Sequence, residues 1–120
     1  MMHFNEVERL VVDVLQDANG RYLLPYQIFM RVKDRDPVLG KRIEKEYPSQ
    51  SGSPPMGEGA GINYSPASFI AHALDNFQRS NNYPQIDKRW FDTIDIKVEG
   101  IIPSSKGGTS IWAWEPRKTK

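Results

Sequence analysis

At 120 residues, with 38% apolar and 26% charged side chains, the chain suits one domain and is neither a membrane protein nor a disordered tail. Sixteen basic and fifteen acidic residues leave a net charge of +1, which excludes a strongly basic nucleic-acid coat and an acidic DNA mimic but permits a local basic face. Cysteine is absent, so disulfide scaffolds, thiol catalysis and cysteine zinc sites are excluded.

Val7, Leu10, Val11, Val14 and Leu15 repeat at helical spacing and predict a helix from Glu6 to about Asp17. Asn5 is placed to cap it, Glu8 stands three residues on, and Asn19-Gly20 ends it. The apolar run Leu10-Val11-Val12 stops at Asp13, too short for a signal peptide or a membrane span, so a cytoplasmic protein is expected. His3 falls in a start expected to be disordered.

Arg21 to Leu24 reads as a brief extended segment, and Pro25 suits the first position of a second helix with Ile28, Phe29 and Val32 on its apolar edge. Asp36-Pro37 interrupts that helix. Val38, Leu39, Ile43 and Tyr47 then predict a third helical piece ending near Tyr47. Residues 48–63 are rich in Pro, Gly and Ser, with only Met56 and Ile62 as sizeable apolar side chains, and read as a long mobile loop. Gly57-Glu58-Gly59-Ala60-Gly61 within it looks superficially like a dinucleotide-binding loop. It follows Ser/Pro-rich sequence rather than a buried strand, and Glu58 would repel phosphate, so no cofactor is expected.

Ser65-Pro66 is a strong helix start, a hydroxyl cap before a first-turn proline, and Phe69, Ile70, Ala73, Leu74 and Phe77 form the stripe behind it. Asn81-Asn82-Tyr83-Pro84 stops this helix. After a short connection, Ile94, Ile96 and Val98 alternate with charged residues as a half-buried strand. Ser104 to Gly108 can turn the chain, Ser110 to Trp114 supplies the return strand, and the basic tail 116–120 is expected to fray. Trp112 and Trp114 share one strand face. They could stack on bases, but in a small domain they are expected to close the core against the first helix. One of Trp90 and Phe91 is expected to be buried as well.

The expected fold class is therefore α+β, three to four helices followed by a C-terminal β-hairpin. In that order of elements the chain resembles the winged-helix family, a helix-turn-helix variant closed by a hairpin wing. The nearest subtype is the HARE-HTH group, on the helix ending in Asn19-Gly20 and the following Leu23-Leu24-Pro25 with Ile28 and Phe29. Two departures are the helical piece from Pro37 to Tyr47 and the Gly/Pro/Ser loop, inserted where the family has a tight turn. The resemblance implies a DNA-binding module, a transcriptional regulator or accessory protein, whose partner is double-stranded DNA. Its recognition helix would run from Ser65 to Ser80, with Ser65, Ser68, His72, Asn76 and Arg79 near the DNA and Lys106 at the wing tip.

Local charge adds a second group of residues. Residues 21–46 carry Arg21, Arg31, Lys33, Arg35, Lys41, Arg42 and Lys45 against four acidic side chains, and Arg31, Lys33, Arg35, Lys41 and Arg42 are candidates for phosphate contact. They read equally well as ordinary solvated helix faces. The alternative to DNA binding is a non-catalytic protein-interaction module on the same scaffold. His72 and Asp75 can share a helix face, but two ligands make no metal site. No Gly-x-Ser-x-Gly element, histidine–glutamate zinc motif or Walker loop is present, so neither metal nor catalysis is expected.

Overall fold

A computed structural model describes residues 2–48, 65–80, 82–92 and 108–117 of the chain. A 3-10 turn, Phe4–Glu6, leads into four helices: α1 (Glu8–Ala18), α2 (Pro25–Arg35), α3 (Pro37–Glu46) and α4 (Pro66–Arg79). Strands β1 (Ile86–Asp92) and β2 (Gly108–Trp114) then pair as an antiparallel hairpin. The architecture is α+β, four helices followed by a C-terminal hairpin, as the order of sequence signals implies.

Local chemistry accounts for most of the helix ends. The first helix closes at Asn19 and Gly20, both at positive φ (49° and 86°), a conformation glycine and asparagine adopt at low cost. Pro25, Pro37 and Pro66 each open a helix at a position whose N–H would have no intrahelical partner. Asp36 ends α2 and starts α3, its carboxylate accepting from the Leu39 N–H at 3.0 Å. At the head of α4, Ser65 Oγ accepts from the Ser68 N–H (3.2 Å), and Ser68 Oγ accepts from the Ser65 N–H (2.7 Å).

The start of the chain differs from expectation. Val7, not Asn5, occupies the cap position of α1, because residues 4–6 have already turned. Glu6 receives the His3 N–H at 2.8 Å and the Arg42 guanidinium at 2.7 Å, which together hold its carboxyl below the usual range. Met2 is buried, its N–H donating to Tyr47 Oη at 3.1 Å, so the start is ordered and docks on the end of α3.

The core joins Val7, Val11, Val14 and Leu15 to Ile28, Phe29 and Val32 of α2, Ile43 of α3, the α4 stripe, Ile86 and Trp112. All five predicted stripe residues of α4 are buried. Val38 is the exception among the helical apolar positions: it is 81% exposed on the first turn of α3, while Ile43 and Tyr47 carry that helix's contact.

Helices α2 and α3 approach closely at Gly40, where an added Cβ would lie 2.6–2.9 Å from Lys33 Cγ, Cβ and Cα. Gly40→Ala is expected to lower stability by about 1–2 kcal/mol, because forced separation of the helices outweighs alanine's better helix propensity. Urea denaturation measures this, and a gain in stability would contradict the close approach.

The hairpin also departs from the sequence reading. Residues 94–98, expected as its first strand, lie outside the described residues. The strand opposite β2 is Ile86–Asp92, which the sequence suggested was mere connection. A further piece joins this sheet: Leu23 and Trp112 exchange backbone hydrogen bonds at 2.8 and 2.9 Å, an antiparallel bridge tying the extended segment after α1 to β2. Trp112 is fully buried and Trp114 packs partly against the core, as expected of the pair. Trp90 instead stands 53% exposed and Phe91 is only partly covered, so neither is buried.

Candidate nucleic-acid interface

Helix α4 buries one side completely, which leaves His72, Asp75, Asn76, Gln78 and Arg79 along its other side. Strand β1 is tied to that side. Gln78 Nε2 donates to the Ile86 carbonyl at 3.2 Å, and Lys88 Nζ meets Asp75 Oδ1 at 2.9 Å while lying 5.3 Å from the Trp112 ring centroid. Strand alternation puts Ile86, Lys88, Trp90 and Asp92 on this face. The first strand of the hairpin thus places an ammonium group and an exposed indole alongside the last helix.

The opposite face holds a second cluster. Tyr22 Oη donates to Asp87 Oδ2, and Arg89 Nε donates to both Tyr22 Oη (2.9 Å) and Asp87 Oδ2 (3.2 Å). Donation to Asp87 pushes the Tyr22 phenol above its ordinary value, and the same two partners raise Arg89. The cluster spans β2 and links the segment after α1 to β1.

The sequence-nominated residues fall into separate groups. Ser65 and Ser68 are 1% and 5% exposed, and their hydroxyls serve the helix cap, where no groove of DNA can reach them. His72, Asn76 and Arg79 lie on successive turns of the outer side of α4, Asn76 and Arg79 exposed. Lys106 and nearly all of the 48–63 loop lie outside the described residues. Among the basic residues of α2 and α3, Lys33 pairs with Glu44 (3.2 Å), Arg35 with Asp17 (2.6 Å) and Arg42 with Glu6 (2.7 Å). Arg31 and Lys41 have no ion pair among the described residues. Among the described residues, no hydrogen bond or ion pair links these α2 and α3 cations to α4 or β1.

Lys88 and Arg89 escaped the sequence reading, and Trp90 entered it only as a candidate for the core. Two cations followed by tryptophan are a usable signal for phosphate and base contact. It was hidden because the more regular alternation at 94–98 claimed the strand. Asp87 and Arg89 are a local i, i+2 pair, whereas Tyr22 meets them only through the sheet and has no local signal.

Partial burial holds the His72 imidazole below its usual range; Asp75 opposes that shift, while Arg79 and Lys88 reinforce it. The sign follows from linkage. The unfolded chain binds the proton more readily, so stability is fully present above the unfolded value of 6.5 and declines as pH falls through it. His72→Gln is expected to flatten that decline in urea midpoints measured between pH 7.5 and 5; an unchanged profile would remove His72 as its source.

No three His, Asp or Glu side chains cluster as a metal site requires among the described residues. A shallow groove of about 370 Å³ lies elsewhere, lined by Asn5, Glu8, Arg9, Val12, Asp13 and Tyr83, with Tyr83 Oη donating to Glu8 at 2.5 Å. No described helix is long and apolar enough to cross a membrane. Set against protein-family models, curated proteins and solved structures, the chain matches none.

Proposed function

We propose that the chain is a winged-helix domain that binds double-stranded DNA without catalysis, in a regulatory or accessory role. The observation that carries this reading is the Leu23–Trp112 bridge. It gives the order helix, strand, three helices, hairpin, with the first extended segment lying beside the last strand, as in a winged helix. The helix just before the hairpin is then α4, whose exposed Asn76 and Arg79 can donate to base edges and phosphates. Lys88 on the adjoining strand supplies further positive charge, although it already has a carboxylate partner, Asp75, at the surface. Such exposed pairs are worth about 0–1 kcal/mol and can exchange for phosphate.

The test is fluorescence anisotropy with random-sequence duplex DNA at low and moderate salt. Binding that weakens with salt is expected, and Arg79→Ala should lower affinity and reduce the salt slope by about 1. Absence of binding at low salt would overturn the reading. A protein-interaction module is then favoured, because Lys88 and Arg89 are matched by acids while Trp90 stands open.

A further inference from the structure

Strand β1 runs antiparallel to α4 and in step with it. Gln78 Nε2 reaches the Ile86 carbonyl (3.2 Å), and one turn back along the helix Asp75 meets Lys88 (2.9 Å). A step of about 4.5 Å on the helix is matched by about 7 Å on the strand, so the next one brings Trp90 level with the turn that holds His72. Trp90 differs from its neighbours on that face. Ile86 is buried and Lys88 is tied to Asp75, whereas the Trp90 indole is 53% exposed and has no partner among the described residues. Its cross-strand neighbour is Ser110, a small side chain whose Oγ already receives the Trp112 Nε1–H at 2.9 Å. A flat ring therefore stands uncovered at one end of the surface whose other end carries Asn76 and Arg79.

On the reading that α4 faces DNA, on which this inference rests, we propose that Trp90 stacks on an unpaired base. The preferred ligand is then duplex DNA that carries a single-stranded tail. Inside a duplex each base shows only its edges in the grooves, because neighbouring pairs cover its faces. An indole has a broad π-face and a single N–H donor, so it reads edges poorly and stacks well. Taking a base out of the stack costs energy, and the cost is least where the base is already single-stranded. Charge points the same way. Lys88 is matched by Asp75, which leaves Arg79 as the unmatched cation on this surface among the described residues. Phosphate neutralisation therefore supplies less affinity here than on a densely basic face. Stacking needs no free charge and supplies more. The duplex lies along α4, and the first bases of the tail meet Trp90.

Fluorescence anisotropy of the full chain at low salt is the test, with a blunt random-sequence duplex and the same duplex carrying a tail of about six nucleotides. The tailed DNA is expected to bind about tenfold tighter. Trp90→Ala and Trp90→Leu should both abolish that preference, whereas Trp90→Phe should keep most of it, because only an aromatic face stacks. The position is half-exposed, so these variants keep the fold. A tail of abasic units carries the same phosphates without bases and should confer no preference. Arg79→Ala is expected to weaken binding of both DNAs and leave their ratio unchanged. Equal affinity for blunt and tailed DNA, or a preference that survives Trp90→Leu or the abasic tail, overturns the proposal and leaves duplex binding standing. An isolated tail that binds as tightly as the tailed duplex also overturns it. Absence of binding to any of these DNAs overturns the underlying reading of α4 as well.

Discussion

Trp112→Ala is expected to destabilise the fold by about 3–5 kcal/mol, a large share of the 5–15 kcal/mol typical of a domain. The indole is fully buried between the sheet and the helices, and its removal leaves a cavity that the bridged backbone cannot easily close. Three other contacts meet at this residue. Its backbone bonds Leu23, its Nε1 donates to Ser110 Oγ at 2.9 Å, and Lys88 lies over its ring. Trp112→Phe should lose much less, since it keeps most of the buried area and sacrifices the Nε1 bond. Trp90→Ala, at a half-exposed position, should fall within about 0.5 kcal/mol of the parent. Guanidinium denaturation followed by far-UV circular dichroism separates the three. A Trp112→Ala loss below about 1 kcal/mol would mean the hairpin is not anchored through this side chain.

Phe69→Ala should be of similar size, about 3–5 kcal/mol, for a different reason. Phe69 is fully buried on the second turn of α4, stacked on Tyr47 with centroids 4.6 Å apart and planes 16° from parallel, and 5.6 Å from Phe4. Tyr47 in turn receives the Met2 N–H. One ring therefore joins the N-terminal turn, the end of α3 and the start of α4. A double-mutant cycle between Phe69→Ala and Tyr47→Ala is expected to show coupling of about 0.5–1.5 kcal/mol. Additive losses would show that the stack contributes area alone.

The helices were legible because their signals are local. The Val7–Leu15 stripe, the Asn19-Gly20 stop, and prolines 25, 37 and 66 each act within a turn of their own position, and the structure places helices where they say. Asn5 misled because a turn at residues 4–6 shifts the start of α1, a consequence of Met2 docking on Tyr47 forty-five residues away. Strand β1 was not legible. Of Ile86 to Asp92 only Ile86 is fully buried, so the segment lacks the alternation that marks a half-buried strand. Its conformation comes from pairing with β2 and from the Lys88–Asp75 contact with α4, neither of which leaves a trace in neighbouring sequence.

The candidate site divides the same way. Asn76 and Arg79 could be read from the helical wheel of α4, because burial of the opposite stripe forces them outward. Ser65 and Ser68 looked equally polar, yet a serine at the head of a helix has a competing use for its hydroxyl, and capping wins here. For Lys33, Arg35 and Arg42 composition alone could not reveal the carboxylates that meet them, since two of the three partners come from α1 or the turn before it.

The most direct measurement is a titration of the isotopically labelled full chain with random-sequence duplex DNA at low salt, followed by backbone amide shifts. The account predicts that the largest changes fall on α4 from His72 to Arg79 and on β1 from Lys88 to Trp90, and that added salt reverses them. Shifts confined to α1 and the groove beside Tyr83, or no shifts at all, would contradict it.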